Sequence, residues 1–470
     1  MQNENTRNTI IFIVCTVAIL FLYQVFVLQP EADARKAALK RQQESVAAMG
    51  APASVAPGTN VGGVSPTNPP PTIRDRNAVI QGQPRVRIDT PSLSGSILLT
   101  GGRVDDLFLK NYDETLEDDS PPVELLRPVG ARHAYFAQTG WANQNLPGLP
   151  GDATQWRLAS GDTLSVGRPV TLAYTAPNGL EFTRTVSVDD KYMFTVTDRV
   201  VNRGTASVTL AHYGSVQRHG VPADLGKTMI LHEGGIGVID GKLRQHKYQD
   251  WAKKGEFREA TVGGWLGITD KYWLSALIPD QRERVQTAFR VVDSGDVKIH
   301  EAAFLGRPVI IAPGRQVEET TRLYAGAKRQ EVLDAYGQEL GLPRFDSAID
   351  WGNFWFFTRP IFAVLEFFYK LVGNFGVAIL LLTVAVKLVF FPLANKSYES
   401  MSKMKKVQPM VEDLRKKYEK DPTKQQQELL ALYQREKINP LAGCLPILIQ
   451  IPVFYALYKV LFVTIEMRHA

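Results

Sequence analysis

Three apolar runs constrain this chain more than anything else in it. Ile10 to Leu28 is 19 residues long, broken only by Thr16, Tyr23 and Gln24, enough at ~1.5 Å per residue to cross a hydrocarbon core of about 30 Å. Val377 to Ala394 carries a single charge, Lys387, and Leu445 to Val463 holds Pro452 with Gln450 and Lys459 as polar interruptions. The first run reads as an uncleaved anchor. A cleaved signal peptide competes, because Ala32-Asp33-Ala34 has the A-x-A spacing of a processing site, but the run exceeds a typical signal-peptide core.

The rest of the chain divides by composition. Residues 1–30 form the anchor and residues 31–84 a flexible tether rich in Pro and Ala, with too little apolar surface to fold. Residues 85–348 show short alternating runs punctuated by turn dipeptides such as Asn178-Gly179, which predicts antiparallel hairpins and a large all-β sandwich. Glu331 to Gly341 has helical periodicity. Residues 349–375 are crowded with aromatics and broken by Arg359, Glu366 and Lys370, the pattern of an amphipathic helix lying at a membrane interface. A second span covers 376–395, a basic helical hairpin 396–440, and a third span 441–465.

The formal charge is +6, and Lys396 to Lys437 holds eleven Lys or Arg against seven Asp or Glu. A short basic hairpin stays in the cytoplasm by the positive-inside tendency, which puts the sandwich on the far side and, with three spans, the amino terminus inside. Cys15 and Cys444 lie in or beside apolar runs far apart, so neither a disulfide framework nor a CxxC motif is available.

The stretches KLVFFPLANKSYESMSKMKKVQPMVEDLRKKY and LLALYQREKINPLAGCLPILIQIPVFYALYKVL resemble the membrane core of the YidC insertase family. The Asn-Pro-Leu-x-Gly-Cys-x-Pro lead-in and the following Gln-x-Pro are the more specific part. The amino half matches Gram-negative members in layout: anchor, tether and periplasmic β-supersandwich. The resemblance implies an inner-membrane protein with an α-helical transmembrane core, which helps hydrophobic segments of nascent membrane proteins into the bilayer, alone or beside the Sec translocon. No nucleotide, cofactor or small-molecule substrate is implied. The family's members continue past Arg468 with about three further membrane helices, so the resemblance also implies a chain cut short.

Within that family a positive residue on the first core helix lies in a hydrophilic groove, and here the position matches Lys387, where many relatives carry arginine. Physical chemistry alone leaves two readings. A charge inside a spanning helix costs a few kcal/mol and normally faces protein or water, and Thr383, one turn earlier, extends a polar stripe on the same face. Alternatively the lysine snorkels toward the membrane surface. Gln450 is a second groove residue or a single interhelical hydrogen bond. Met401, Met404 and Met410 read either as an adaptable contact for hydrophobic clients or as the seam between the hairpin helices. The hairpin lysines suit ribosomal RNA, anionic lipid or a solvated face.

Two other function classes are open. His212, His219, His232, His300 and Glu301 offer acid and base groups in a sandwich whose presumed fold resembles sugar-epimerase domains, although no tight motif joins them. A proton-coupled transporter using Lys387 as relay is the other. A phosphate loop at Gly226-Lys227-Thr228 is excluded, since Val221 stands where its first glycine belongs.

Overall fold

The computed structural model describes residues 73–468 other than 144, 223, 224, 226–230, 296, 420 and 437–444. The span Ile10–Leu28, both cysteines, most of the tether, the rejected phosphate loop and the Asn439-Pro440 lead-in lie outside the described residues.

Two antiparallel sheets make the β-domain. The ten-stranded sheet runs in spatial order Phe257–Val262, Arg284–Ser294, Val297–Ile311, Val208–His219, Tyr135–Ala142, Arg103–Asp113, Leu93–Leu98, Arg85–Asp89, Thr163–Leu164, with Pro122–Leu126 branching from Arg103–Asp113. The nine-stranded sheet runs Lys242–Lys247, Gly234–Ile239, Trp265–Thr269, Trp273–Ile278, Gln316–Ala327, Met193–Asn202, Leu180–Val188, Val170–Thr175, Arg157–Ser160. Among the strands of the described residues, Arg85–Asp89 with Thr163–Leu164 is the one parallel pair. Strand formation follows the period-two pattern: Leu180, Phe182, Arg184, Val186 and Val188 are all buried while the residues between them are not. The Asn178-Gly179 turn joins this strand to its neighbour. Gly179 sits at φ 82°, where a side chain would also press on Gly204, so only glycine relaxes there.

The core between the sheets is not wholly apolar. Arg184 on one sheet donates from Nε to Asp198 Oδ1 at 2.6 Å and from Nη1 and Nη2 to the carbonyls of Gly102 and Thr139, each at 2.5 Å. Thr139 Oγ1 and His212 Nε2 reach the other carboxylate oxygen of Asp198 from the opposite sheet, at 2.5 and 3.1 Å. A buried ion pair satisfied on every side in this way is tolerable where a half-satisfied one is not.

Helix α1, Arg76–Ile80, lies within the segment expected to be tether. Asp75 caps it, Arg76 pairs with Asp106 and Glu124, and Val79 is buried, so one apolar anchor and two ion pairs order residues that composition alone assigns to a linker. Helix α2 is Tyr248–Lys254, and α3, Gln330–Glu339, occupies the expected helical segment and buries Val332, Leu333 and Tyr336. A 3₁₀ turn, Phe345–Ala348, leads to α4, Trp355–Val372, and then α5, Phe375–Lys417. Gly373 in the left-handed region ends α4, and Asn374 caps α5 by accepting from the Val377 N–H at 3.0 Å.

Helix α5 carries on without interruption from the second span into the first arm of the hairpin: its 43 residues continue past Pro392 and Pro409. Helix α6, Pro422–Arg435, folds back along it, with Asp421 as cap and proline in the first turn. Val407, Val411 and Leu432 form the seam, with Met404, Leu414, Leu429 and Tyr433 around them. The last long helix is α7, Leu445–Val463. Among the described residues α5 alone is long and apolar enough to cross a membrane, while α7 shows a shorter apolar stretch, Gln450–Val463.

Candidate functional site

Lys387, Thr383 and Gln450, singled out from sequence, line one cavity of about 40 Å³. Helix α4 contributes Ile361, α5 Leu382, Thr383, Val386 and Lys387, and α7 Gln450, Val453, Phe454 and Leu457. The arrangement has a local cause. Ala378 and Leu382, one turn apart, are buried, and their stripe seats α5; Thr383 and Lys387, exposed, are displaced round the helix from it. Thr383 donates its hydroxyl to the Ile379 carbonyl at 2.8 Å. Its proton is therefore committed to the helix, and only oxygen lone pairs remain for a cation or water. Lys387 makes no ion pair among the described residues.

The methionines separate. Met404 packs at the hairpin seam, whereas Met401 and Met410 are 42% and 52% exposed. Four of the five acid and base groups singled out in the β-domain are engaged by structural partners. His212 is spent on Asp198, and Glu301 is buried with Ser215 and Gln217 donating to it and Arg290 paired to it. His232 and His300 hydrogen-bond the carbonyls of Gly235 and Gly220. Burial pushes both imidazoles down to about 4.

A second lysine carries a relationship that sequence reading missed. Lys459, fully buried near the end of α7, places Nζ 2.9 Å from Asp350 Oδ2. The same oxygen accepts the His232 N–H at 2.9 Å, and Oδ1 accepts the Gly352 N–H at 3.0 Å. Burial works against ionisation of Asp350, yet the Lys459 ammonium and these two donors hold its carboxyl below the usual range. Nearby, Lys271 lies 3.7 Å over the Phe462 ring and Arg468 5.3 Å over Trp273, so α7 is fastened to the β-domain by charge and aromatic contacts together. The available signal was Lys459 itself, since a lysine inside an apolar helix demands a counter-charge.

Residues 85–364 match the model of the YidC periplasmic domain, and residues 367–470 that of the 60Kd inner membrane protein. The membrane protein insertase YidC of Caulobacter vibrioides is 52% identical over 492 residues, covering 100% of this chain and 78% of the relative. The chain belongs to the YidC insertase family. The YidC proteins of Methylobacterium nodulans and Brucella melitensis are 46% and 45% identical, covering 100% and 99% of this chain and 79% of each relative. Among solved structures, an active YidC insertase with its first transmembrane domain resolved gives TM-score 0.29 at 17% identity, over 86% of this chain and 75% of that one. A galactose mutarotase related enzyme from Lactobacillus acidophilus gives 0.35 at 10% identity, over 52% and 97%. YidC membership decides between the function classes left open above. The protein is an inner-membrane insertase with a periplasmic β-domain, not a transporter or an epimerase, and moving a segment into a bilayer makes and breaks no covalent bond.

Proposed function

We propose that the cavity at Lys387 is the point where this insertase receives hydrophobic segments of nascent membrane proteins. The observation that carries the reading is the convergence of α4, α5 and α7 on Lys387, Thr383 and Gln450, with Lys387 lacking an ion-pair partner among the described residues. A cation there holds water at membrane depth and shortens the apolar barrier to a polar flank of the incoming segment. Lysine suffices for that, because the work needs a positive field rather than a bidentate fork.

The topology that fits is a multi-pass protein with its amino terminus and the hairpin of α5 and α6 in the cytoplasm, the β-domain in the periplasm, α4 at the interface, and α7 as a further span. The exposed Met401 and Met410 are the adaptable contacts for clients, Met404 being held in the seam. The Sec translocon, the ribosome and anionic lipid are the partners this layout accommodates, the last two through the hairpin lysines.

Depletion and rescue tests the reading. Cells lacking their own insertase receive the full-length protein with Lys387, Lys387→Ala or Lys387→Glu. Rescue by the parent and loss with glutamate is the expected result. Equal rescue by all three makes Lys387 a bystander, and failure of a stably expressed parent removes the proposal.

A further inference from the structure

A second, larger cavity lies away from Lys387, between the β-domain and the start of α4. It measures about 450 Å³, and Arg344, Asp346, Trp351, Asn353, Trp355 and Arg359 are on its wall. We propose that it binds the phosphate of a phospholipid headgroup. The inference relies on α4 lying at the membrane surface, but not on any role for Lys387.

Charge gives the first argument. The two carboxylates on the wall are already matched, Asp346 by Arg359 and Asp350 by Lys459. Arg344 has no ion-pair partner among the described residues, so the cavity carries one unmatched cation. Its backbone is held at φ 52°, ψ 36°, in the left-handed region, an unfavourable place for a long side chain that the surrounding fold must impose.

Unspent donors give the second. Trp351 is 4% exposed, yet its Nε1 has no hydrogen-bond partner, and neither has Nε of Arg359. Buried N–H groups left empty are uncommon and cost about 1–3 kcal/mol each. Helix α4 also begins at the cavity with no side-chain cap, and while the Phe357 N–H turns back to the Phe354 carbonyl at 2.8 Å, the N–H groups of Trp355 and Phe356 are left for an anion. The unmatched Arg344, an indole N–H and two N–H groups at the helix amino terminus are donors suited to phosphate oxygens.

The rim identifies the source of the phosphate. Trp355 on the wall and Phe356, whose ring lies 6.2 Å from it, are 57% and 52% exposed, an apolar and aromatic surface of the kind that sits among lipid headgroups. A free phosphate ion gains nothing from such a rim, while a phosphodiester bearing acyl chains covers it.

The test uses the whole chain in maltoside micelles, titrated with dihexanoyl-phosphatidylglycerol or with inorganic phosphate and followed by melting temperature. The lipid is expected to raise the melting temperature saturably, with a midpoint shifted about tenfold upward in Arg344→Glu, the loss of one charge-assisted contact, and upward also in Trp351→Phe, which keeps a ring and removes the N–H. Glu331→Gln, on α3, should leave the midpoint unchanged. If Arg344→Glu does not fold by circular dichroism, Arg344→Gln takes its place. Equal midpoints in parent, arginine and tryptophan variants overturn the site, and an equal stabilisation by inorganic phosphate at the same concentration overturns the lipid assignment. Lys387→Glu should leave the midpoint unmoved, so loss of insertion and loss of lipid binding separate.

Discussion

Lys459 and Asp350 are 109 residues apart in sequence and 2.9 Å apart in space. Their pairing ties the far end of an apolar helix to the loop that leaves the β-domain, and the His232 N–H on the same carboxylate brings a strand-side segment into the joint. Removing one partner leaves a buried charge uncompensated, which typically costs about 3–5 kcal/mol. Asp350→Asn and Lys459→Met are each expected to lower the melting temperature, and the double variant to recover part of the loss. Additive losses in the double-mutant cycle would show that the two side chains do not act as a pair.

The Arg184–Asp198 pair inside the sandwich should be equally intolerant of halving. Burial opposes ionisation of Asp198, but Arg184 and His212 overcome it and hold its carboxyl far below the usual range. Asp198→Asn keeps the shape and strands the guanidinium, for an expected loss of about 3 kcal/mol or more in denaturant unfolding of the β-domain. An unchanged midpoint would mean that the carbonyls of Gly102 and Thr139 alone satisfy Arg184.

Acid should loosen the β-domain through its buried histidines. His232 and His300 are neutral in the fold down to about pH 4 but titrate near 6.5 when unfolded. The unfolded state therefore binds more protons between those values, and stability falls as pH drops through that window, by ~1.4 kcal/mol per unit for each histidine. His232→Gln, which can still donate to the Gly235 carbonyl, should flatten the slope of unfolding free energy against pH between 6.5 and 4.

The hairpin seam separates structural from exposed apolar residues. Leu432→Ala removes one of three buried members of a small cluster and should cost about 2 kcal/mol, seen as faster amide exchange across α6. Met401→Ala and Met410→Ala, both at exposed sites, should leave that exchange unchanged. Slowed client crosslinking in either methionine variant would then report on binding alone.

Local pattern made much of this legible. The alternation of Leu180–Val188, the Asn178-Gly179 turn, the three-or-four spacing of Val407, Val411 and Leu414, and the polar positions of α5 and α7 all follow from periodicity and composition, because each depends on neighbours within a turn or a strand. What escaped depends on distant partners. Helix α1 is ordered by Asp106 and Glu124 across the fold, and Asp350 gave no sign that its counter-ion stood near the carboxy terminus. The continuity of α5 was hidden for another reason: Pro392, Pro409 and a sharp change from apolar to charged residues look like a boundary, although a helix can carry both where its lost hydrogen bonds are solvated or shared.

That continuity has a mechanical consequence. Forty-three residues make a rod of about 65 Å at 1.5 Å per residue, roughly twice the ~30 Å of a hydrocarbon core. Lys387 and the seam at Val407 and Val411 thus sit on one continuous helix with Pro392 between them as its natural point of bending, so a tilt of the hairpin reaches the cavity through that single joint as a lateral swing. A segment that presses on the hairpin would move the walls of the cavity before it reached them.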